Sequence, residues 1–331
     1  MTVAIASISI TDEDISTLST VLNPIRLANY LGPVLPSTWG ILRAVELQVL
    51  RDRPGRCTLG ITLQMTTGKH ELIGKVYSTD HSEVFRAMKQ ISESGFGPSE
   101  EFSVPHALAY LPSVRLLVYE KVPGQRAKDI FGANNRQSRA TATERCALWL
   151  AKFHTTELQS ERRVSLRDQL SLLEQRAQRI ADLGNPLADK ARRLYKQLVA
   201  AASALKEDKA RAGHGSYSPS HIILAEGRTV AIDWDRYNVA DSARDVARFI
   251  IELRRLAYSR FGSIRALDAE ADVFRETYLA ASKLNVIVQL PFYEAIACLQ
   301  IAGRIAQRQS GKVQKVETLL DEGLRTFEQR C

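Results

Sequence analysis

Between residues 213 and 245 the chain reads GHGSYSPSHIILAEGRTVAIDWDRYNVADSARD, in which the imidazoles of His214 and His221, the hydroxyl of Ser216 and the carboxylates of Asp233, Asp235 and Asp245 stand around two short apolar runs. Residues 222–224 and 229–232 read as short strands joined by a tight turn at Glu226-Gly227, so Asp233 is delivered at a strand end. A carboxylate held this way can ligate a hard cation. Far upstream, Lys75 stands in IGKVY, flanked by apolar or small residues. An ammonium there can grip an anionic group, although a lysine in a strand is also commonly an edge residue with its head in water. Ser216 is neutral at pH 7 and cannot take up a proton as a carboxylate can.

The elements that must position these groups follow from periodicity. Residues 44–50, 57–65 and 71–77 alternate as three antiparallel strands, broken by turn residues at 52–55 and 67–69. A helix over 82–92 follows, with Ser82 as its cap and Glu83 in its first turn. Extended segments over 104–111 and 114–120 lead to Pro123-Gly124, the expected domain boundary. Helical periodicity then covers 143–154, 165–183, 187–207, 243–260, 269–282 and 291–309. Residues 1–36 form an N-terminal extension with a helical pattern over 15–30, capped by Thr11 or Asp12 and ended by Gly32-Pro33 and Pro36.

The His-Gly opening, the Ile-Asp-Trp-Asp at 232–235 and the later Asp245 resemble the aminoglycoside phosphotransferase and choline kinase family. That family normally reads His-Gly-Asp with an Asn five residues after the Asp. Ser216 and His221 occupy those two positions here, so the frame is kept and both letters are changed. The resemblance spans about 41–303. It implies an α+β, two-lobed protein-kinase-like fold: an N-terminal lobe (37–122) with a small antiparallel sheet, and a larger, mainly helical lobe (123–331) carrying the hairpin 213–245.

It also implies roles. Lys75 would hold the phosphates of ATP or another nucleotide, with Glu83 as its helix partner; Glu83 is equally explained as a first-turn glutamate favoured by the helix dipole. The turn Arg53-Pro54-Gly55-Arg56 replaces a glycine-rich loop, and Arg53 and Arg56 would cap phosphates unless they are simply solvated. The backbone of Glu120 to Val122 would read an adenine edge, or be an ordinary strand exit. Asp233 and His221 fall at the metal positions. Imidazole suits magnesium poorly, which points to weakened Mg binding, or to Mn or a softer ion. Ser216 stands at the catalytic-base position, and Asp235 is the nearest substitute unless it orients the loop. Asp245 would brace the loop. His154, in a last helical turn, is expected to cap carbonyls there rather than act in catalysis.

Two functions are open on these residues: an ATP-dependent phosphotransferase acting on a small-molecule hydroxyl, and a nucleotide-binding pseudokinase with a sensing or partner-regulating role. The 331 residues carry 45 Lys and Arg against 37 Asp and Glu, a formal charge of +8. The basic residues interleave with acidic ones in 161–196, as on a solvated helix face, and no aromatic-interleaved pattern accompanies them, so nucleic acid is not the expected partner. The balance does favour an anionic acceptor over a cationic one. Four scattered cysteines lack any zinc spacing. The apolar stretch 284–303 is interrupted by polar residues, and the N-terminus has no basic leader. No membrane insertion and a cytoplasmic location are expected, with oligomeric state left open.

Overall fold

The computed structural model describes residues 15–205, 210–308 and 312–328. The expected caps Thr11 and Asp12, the expected helix ends at Glu207 and Gln309, and Cys331 lie outside the described residues. The chain divides into two compact units, the first running to Pro123 and including Val230–Trp234, the second comprising Gly124–Thr229 and the chain from Asp235 onward. The sequence keeps all of 213–245 with the helical lobe; five of those residues instead belong with the first unit.

In the first unit the N-terminal segment forms α1 (Leu18–Val21) and α2 (Pro24–Leu31). One continuous helix is expected over 15–30, but Pro24 lacks an amide proton and opens a new helix instead. Asn23 caps it, accepting from the amides of Ile25 and Arg26 at 3.1 Å each. Leu18, Val21, Leu27 and Leu31 share one apolar core with strand residues. Burying each such side chain is worth about 1.5–3 kcal/mol, which explains why helices too short to persist alone are held here.

The strands are β1 (Leu42–Arg53), β2 (Arg56–Met65) and β3 (Gly68–Tyr77), followed by α3 (Ser82–Ile91), β4 (Phe102–Ser103), β5 (Ala107–Leu111) and β6 (Leu116–Glu120). β1, β2, β3, β6 and β5 make a five-stranded antiparallel sheet in that order. Alternation decides which side faces in: Cys57, Leu59, Ile61, Leu63 and Met65 of β2 are all buried. The cap of α3 is His81 rather than Ser82, whose hydroxyl donates to Asp80 at 2.7 Å instead.

The second unit contains β7 (Gln125–Arg126), α4 (Ala127–Gly132), α5 (Arg136–Thr155), α6 (Leu166–Ala181), α7 (Leu187–Ala202) and β8 (Arg211–Gly213). Then come β9 (Ile222–Ala225), β10 (Arg228–Ala231, its last two residues counted with the first unit) and β11 (Asn238–Ala240). The helices α8 (Ala243–Phe261), α9 (Asp268–Ser282), α10 (Leu290–Arg308) and α11 (Val313–Glu328) complete it. α5 starts seven residues before the expected 143 because Asn135 caps it there, accepting from Ser138 N–H. α6 opens with a reciprocal Ser165–Asp168 capping box. β8 pairs with β11, setting Gly213 opposite Asn238, and α10 packs against α6, α8 and α11. Among the described residues no helix is long and apolar enough to cross a membrane.

Candidate functional site

Within the first unit β3 sets Lys75 between Thr58 of β2 and Leu117 of β6, 5% exposed. Its ammonium lies 2.6 Å from Asp233 Oδ1, and Arg56 Nη1 reaches the same oxygen at 3.4 Å. Asp233 has φ +70°, the left-handed region that aspartate tolerates better than most side chains. The neighbouring Trp234 is buried and its indole N–H donates to Ala231 O at 3.0 Å. This conformation therefore has a fixed footing on both sides of the carboxylate. Burial lowers the Lys75 ammonium below its ordinary pKa, the charge of Asp233 pulls it back up, and that of Arg56 adds to the fall.

Glu83 is placed differently from the expected helix partner of Lys75. It sits exposed in the first turn of α3, 3.0 Å from His81 Nδ1, while the carboxylate against Lys75 is Asp233. Arg53 and Arg56 flank the Pro54-Gly55 turn as a cross-strand pair, and the electrostatic influence of both reaches Lys75. The Glu120 amide is taken by His106 O at 2.9 Å, and its carboxylate accepts from His106 N–H at 3.1 Å. Val122 is buried.

Within the second unit the loop after β8 is shaped by Asp245, in the first turn of α8. Its carboxylate accepts from His214 N–H at 2.6 Å and Gly215 N–H at 3.0 Å. Gly215 has φ +73°, and a Cβ there would lie 2.2 Å from Arg236 O and 2.4 Å from Asn238 Nδ2. Only glycine fits that position. Tyr217 anchors the next turn, its hydroxyl donating to Cys146 O at 2.7 Å and its ring stacking on Trp149.

Ser216 is buried, its Oγ 3.3 Å from His214 Nδ1. The His221 ring stacks on that of His214, and its Nδ1–H donates to Ser216 O at 2.8 Å. A carbonyl can only accept, so a neutral His221 carries its proton on Nδ1 and its ring lone pair on Nε2. Asp235, just past Trp234, accepts at its carbonyl from Arg162 at 3.3 Å. His154 is not a carbonyl cap. Fully buried, it places Nδ1 2.8 Å from Tyr278 Oη and Nε2 3.6 Å from Asp245 Oδ2. Packing of α9 against α5, with Asp245 of α8 beside the ring, overrides the helix-end preference.

Burial alone would raise the Asp245 carboxyl, but the adjoining His154 ring and the charges of His214 and Arg244 hold it below the usual range. A depressed carboxylate contributes stability that is present above the unfolded value near about 3.9 and is lost as pH falls through the lower folded value. Asp245→Asn, which leaves one loop amide facing a donor, is expected to lower Tm at pH 7 and flatten its decline between pH 5 and 2. Wild-type and variant Tm profiles of equal steepness in that window would remove Asp245 as the acid-labile brace.

As for a divalent cation, Asp233 supplies the hard oxygen such an ion needs, whereas His221 offers nitrogen, a mismatch for magnesium. Among the described residues no group of three or more His, Cys, Asp or Glu gathers as a ready metal cage. A cation would therefore depend on oxygen atoms brought by a ligand.

Three solved structures carry the same architecture. A spectinomycin phosphotransferase in complex with ADP and spectinomycin superposes with TM-score 0.63 at 12% identity, covering 93% of this chain and 99% of that one. Choline kinase from Cryptosporidium parvum Iowa II gives 0.64 at 10% identity, with 92% and 95% covered. Choline kinase from Streptococcus pneumoniae gives 0.60 at 12%, with 88% and 96% covered. At such identities the likeness is one of fold. No curated protein sequence matches the chain. The model of the family described as "phosphotransferase enzyme family" matches residues 64–284, a span that runs from the end of β2 through the Lys75–Asp233 pair and the Asp245-braced loop to the end of α9. By that match over most of its length, the chain belongs to the phosphotransferase enzyme family.

Proposed function

We propose that the protein is an ATP-dependent phosphotransferase acting on a hydroxyl of a small molecule. The observation that carries this reading is the Lys75–Asp233 pair, 2.6 Å apart: a buried ammonium for nucleotide phosphates and, against it, a half-buried carboxylate suited to their cation. Lys75 and Arg56 would hold the phosphates. A divalent ion bound with help from Asp233 would neutralise charge on the transferring group. Membership of the family and the ADP found with the spectinomycin enzyme support a nucleotide as partner.

The acceptor proton needs a destination. Ser216 cannot hold it, but His214 Nδ1 stands 3.3 Å from Ser216 Oγ. In this reading the acceptor oxygen attacks phosphorus as its proton passes to Ser216 Oγ, while the serine proton moves to His214 and ADP leaves. A serine–imidazole relay would then stand in for a carboxylate. The rival reading is a nucleotide-binding pseudokinase, favoured by one specific observation: residues 213–221 contain no carboxylate, and His221 is spent on the Ser216 carbonyl.

Isothermal titration of ATP with magnesium and with manganese, followed by an ADP-release assay over a panel of hydroxyl compounds, tests the proposal. Metal-dependent binding with acceptor-stimulated ADP release is expected. Metal-dependent binding without release for any acceptor would establish the pseudokinase, and absence of ATP binding with either metal would overturn both readings.

A further inference from the structure

The second unit holds a small cavity beside the Asp245-braced loop, lined by Gly215, Gln169 of α6, Arg244, Asp245 and Arg248 of α8, and a face of α10 that runs from Tyr293 to Gln300. Its water-accessible space is about 30 Å³, room for one head group or a pair of waters. The lining follows from helical spacing. Arg244 and Arg248 are four apart on α8, and Tyr293 and Gln300 are seven apart on α10 with the apolar Ile296 and Ala297 between them, so each pair faces the same space.

The charges around this space do not balance. Arg244 is half-buried, yet its one side-chain hydrogen bond goes to a neutral amide, Asn238 Oδ1, at 3.3 Å. Among the described residues no carboxylate lies within ion-pair distance of it. One turn further along α8, Glu252 is shared by three guanidiniums, those of Arg248, Arg255 and Arg304. Two polar atoms at the cavity are buried without a partner: the Arg248 Nε donor and the Gln169 Oε1 acceptor. Gln169 itself is only 4% exposed. Burial together with the charge of Arg248 pushes the Arg304 guanidinium down to about 8, and burial lowers Arg244 as well. Asp245 also lines the cavity, and its charge and that of Asp241 favour the charged form of Arg244, but the Asp245 carboxylate is engaged by the His214 and Gly215 amides, so the guanidiniums that outnumber it would be stabilised by an incoming anion.

We infer that this cavity binds the anionic group, a carboxylate or phosphate, of a small hydroxyl-bearing acceptor, with Arg244 and Arg248 as the gripping residues and Gln169 accepting from a ligand hydroxyl. As an acceptor site it rests on the phosphotransferase reading; as an oxyanion site it stands without it. The positive sign at this cavity is opposite to what a cationic aminoglycoside or choline would require. Because Gly215 is shared by the cavity and the loop, a ligand held by its anionic end presents its hydroxyls beside Ser216.

The test is nucleotide-free binding to the full chain. Inorganic phosphate, glycerol 3-phosphate and glycerate are titrated by calorimetry and thermal shift, with glycerol and choline as neutral and cationic controls. The anions are expected to bind saturably and raise Tm while the controls do neither; a preference for glycerol 3-phosphate over glycerate, or the reverse, identifies phosphate or carboxylate as the natural head group. Arg244→Gln is expected to weaken anion binding by about tenfold or more, the loss of a charge-assisted hydrogen bond. Lys75→Met should leave it unchanged, which separates this site from the nucleotide phosphates. Should Arg244→Gln fold poorly, Arg248→Lys, which keeps the charge and loses the Nε donor, is expected to weaken binding to a smaller extent. Anion binding lost in Lys75→Met and retained in the arginine variants would overturn the inference, as would tighter binding of choline than of any anion. Failure of ATP binding or turnover with anion binding intact would count against the phosphotransferase reading alone.

Discussion

Asp233→Ala is expected to destabilise the protein far more than Lys75→Met, although both should abolish productive ATP binding. The two changes leave different debts. Removing Asp233 leaves a 5%-exposed ammonium among the charges of Arg56 and Arg53 without the carboxylate that opposes their effect on it. Stripping one partner from a buried ion pair in this way typically costs about 3–5 kcal/mol. Lys75→Met fills the same slot in β3 with an apolar chain of similar length. Asp233 then keeps Arg56 at 3.4 Å and a side chain 24% open to water, so a cost of about 1 kcal/mol is expected, ordinary for a point change.

The pH dependence should separate the pair as well. In Asp233→Ala burial acts on Lys75 with less opposition, so its folded pKa falls further below the unfolded value. The unfolded chain then binds more protons, and stability should rise with pH through the folded pKa. Tm of both variants from pH 6 to 10 reads this out. Equal Tm values with parallel slopes would mean that Asp233 does not compensate Lys75.

Ser216→Asp should raise phosphoryl transfer by about 10²–10⁴-fold, the usual contribution of a positioned base. The new carboxylate would stand where Ser216 Oγ now lies 3.3 Å from His214 Nδ1, able to accept the acceptor proton directly. Adding His221→Asn replaces a ring nitrogen with an amide oxygen and should shift the metal preference toward magnesium. ADP release with saturating acceptor, measured with magnesium and with manganese, checks both effects. If the wild type already uses the serine–imidazole relay, His214→Phe should silence it while Ser216→Asp remains active in that background. An inert Ser216→Asp in the presence of bound ATP would show that the missing base is not what limits turnover.

Much of the fold was legible because its determinants are local. The period-two runs of β1 to β3, the Pro54-Gly55 turn and the helical periodicity of α5 to α10 are each written within one continuous stretch of the chain. The family frame around 213–245 rested on spacing alone and pointed to Asp233 and Asp245. What stayed hidden depends on partners distant in sequence. Glu83 was the helix carboxylate that the family resemblance implied for Lys75, whereas Asp233 comes from 158 residues away, a distance that leaves no spacing signature. His154 obeyed a local rule for helix ends until α8 brought Asp245 beside it. Arg244 and Arg248 belong to no motif that spacing could single out, and only the packing of α10 against α8 brings them to a common cavity.

The separation of Lys75 from Asp233 also has a temporal side. A chain leaving the ribosome completes the strands β1 to β6 with Glu120, well before Asp233 is made. At about 5–20 residues per second, the 158 residues between the two take on the order of 10–30 s to synthesise. Throughout that interval the nascent sheet has its lysine without its aspartate. The first unit is thus a late finisher despite being synthesised early: its closing piece, Val230–Trp234, emerges only after Gly124–Thr229 of the second unit.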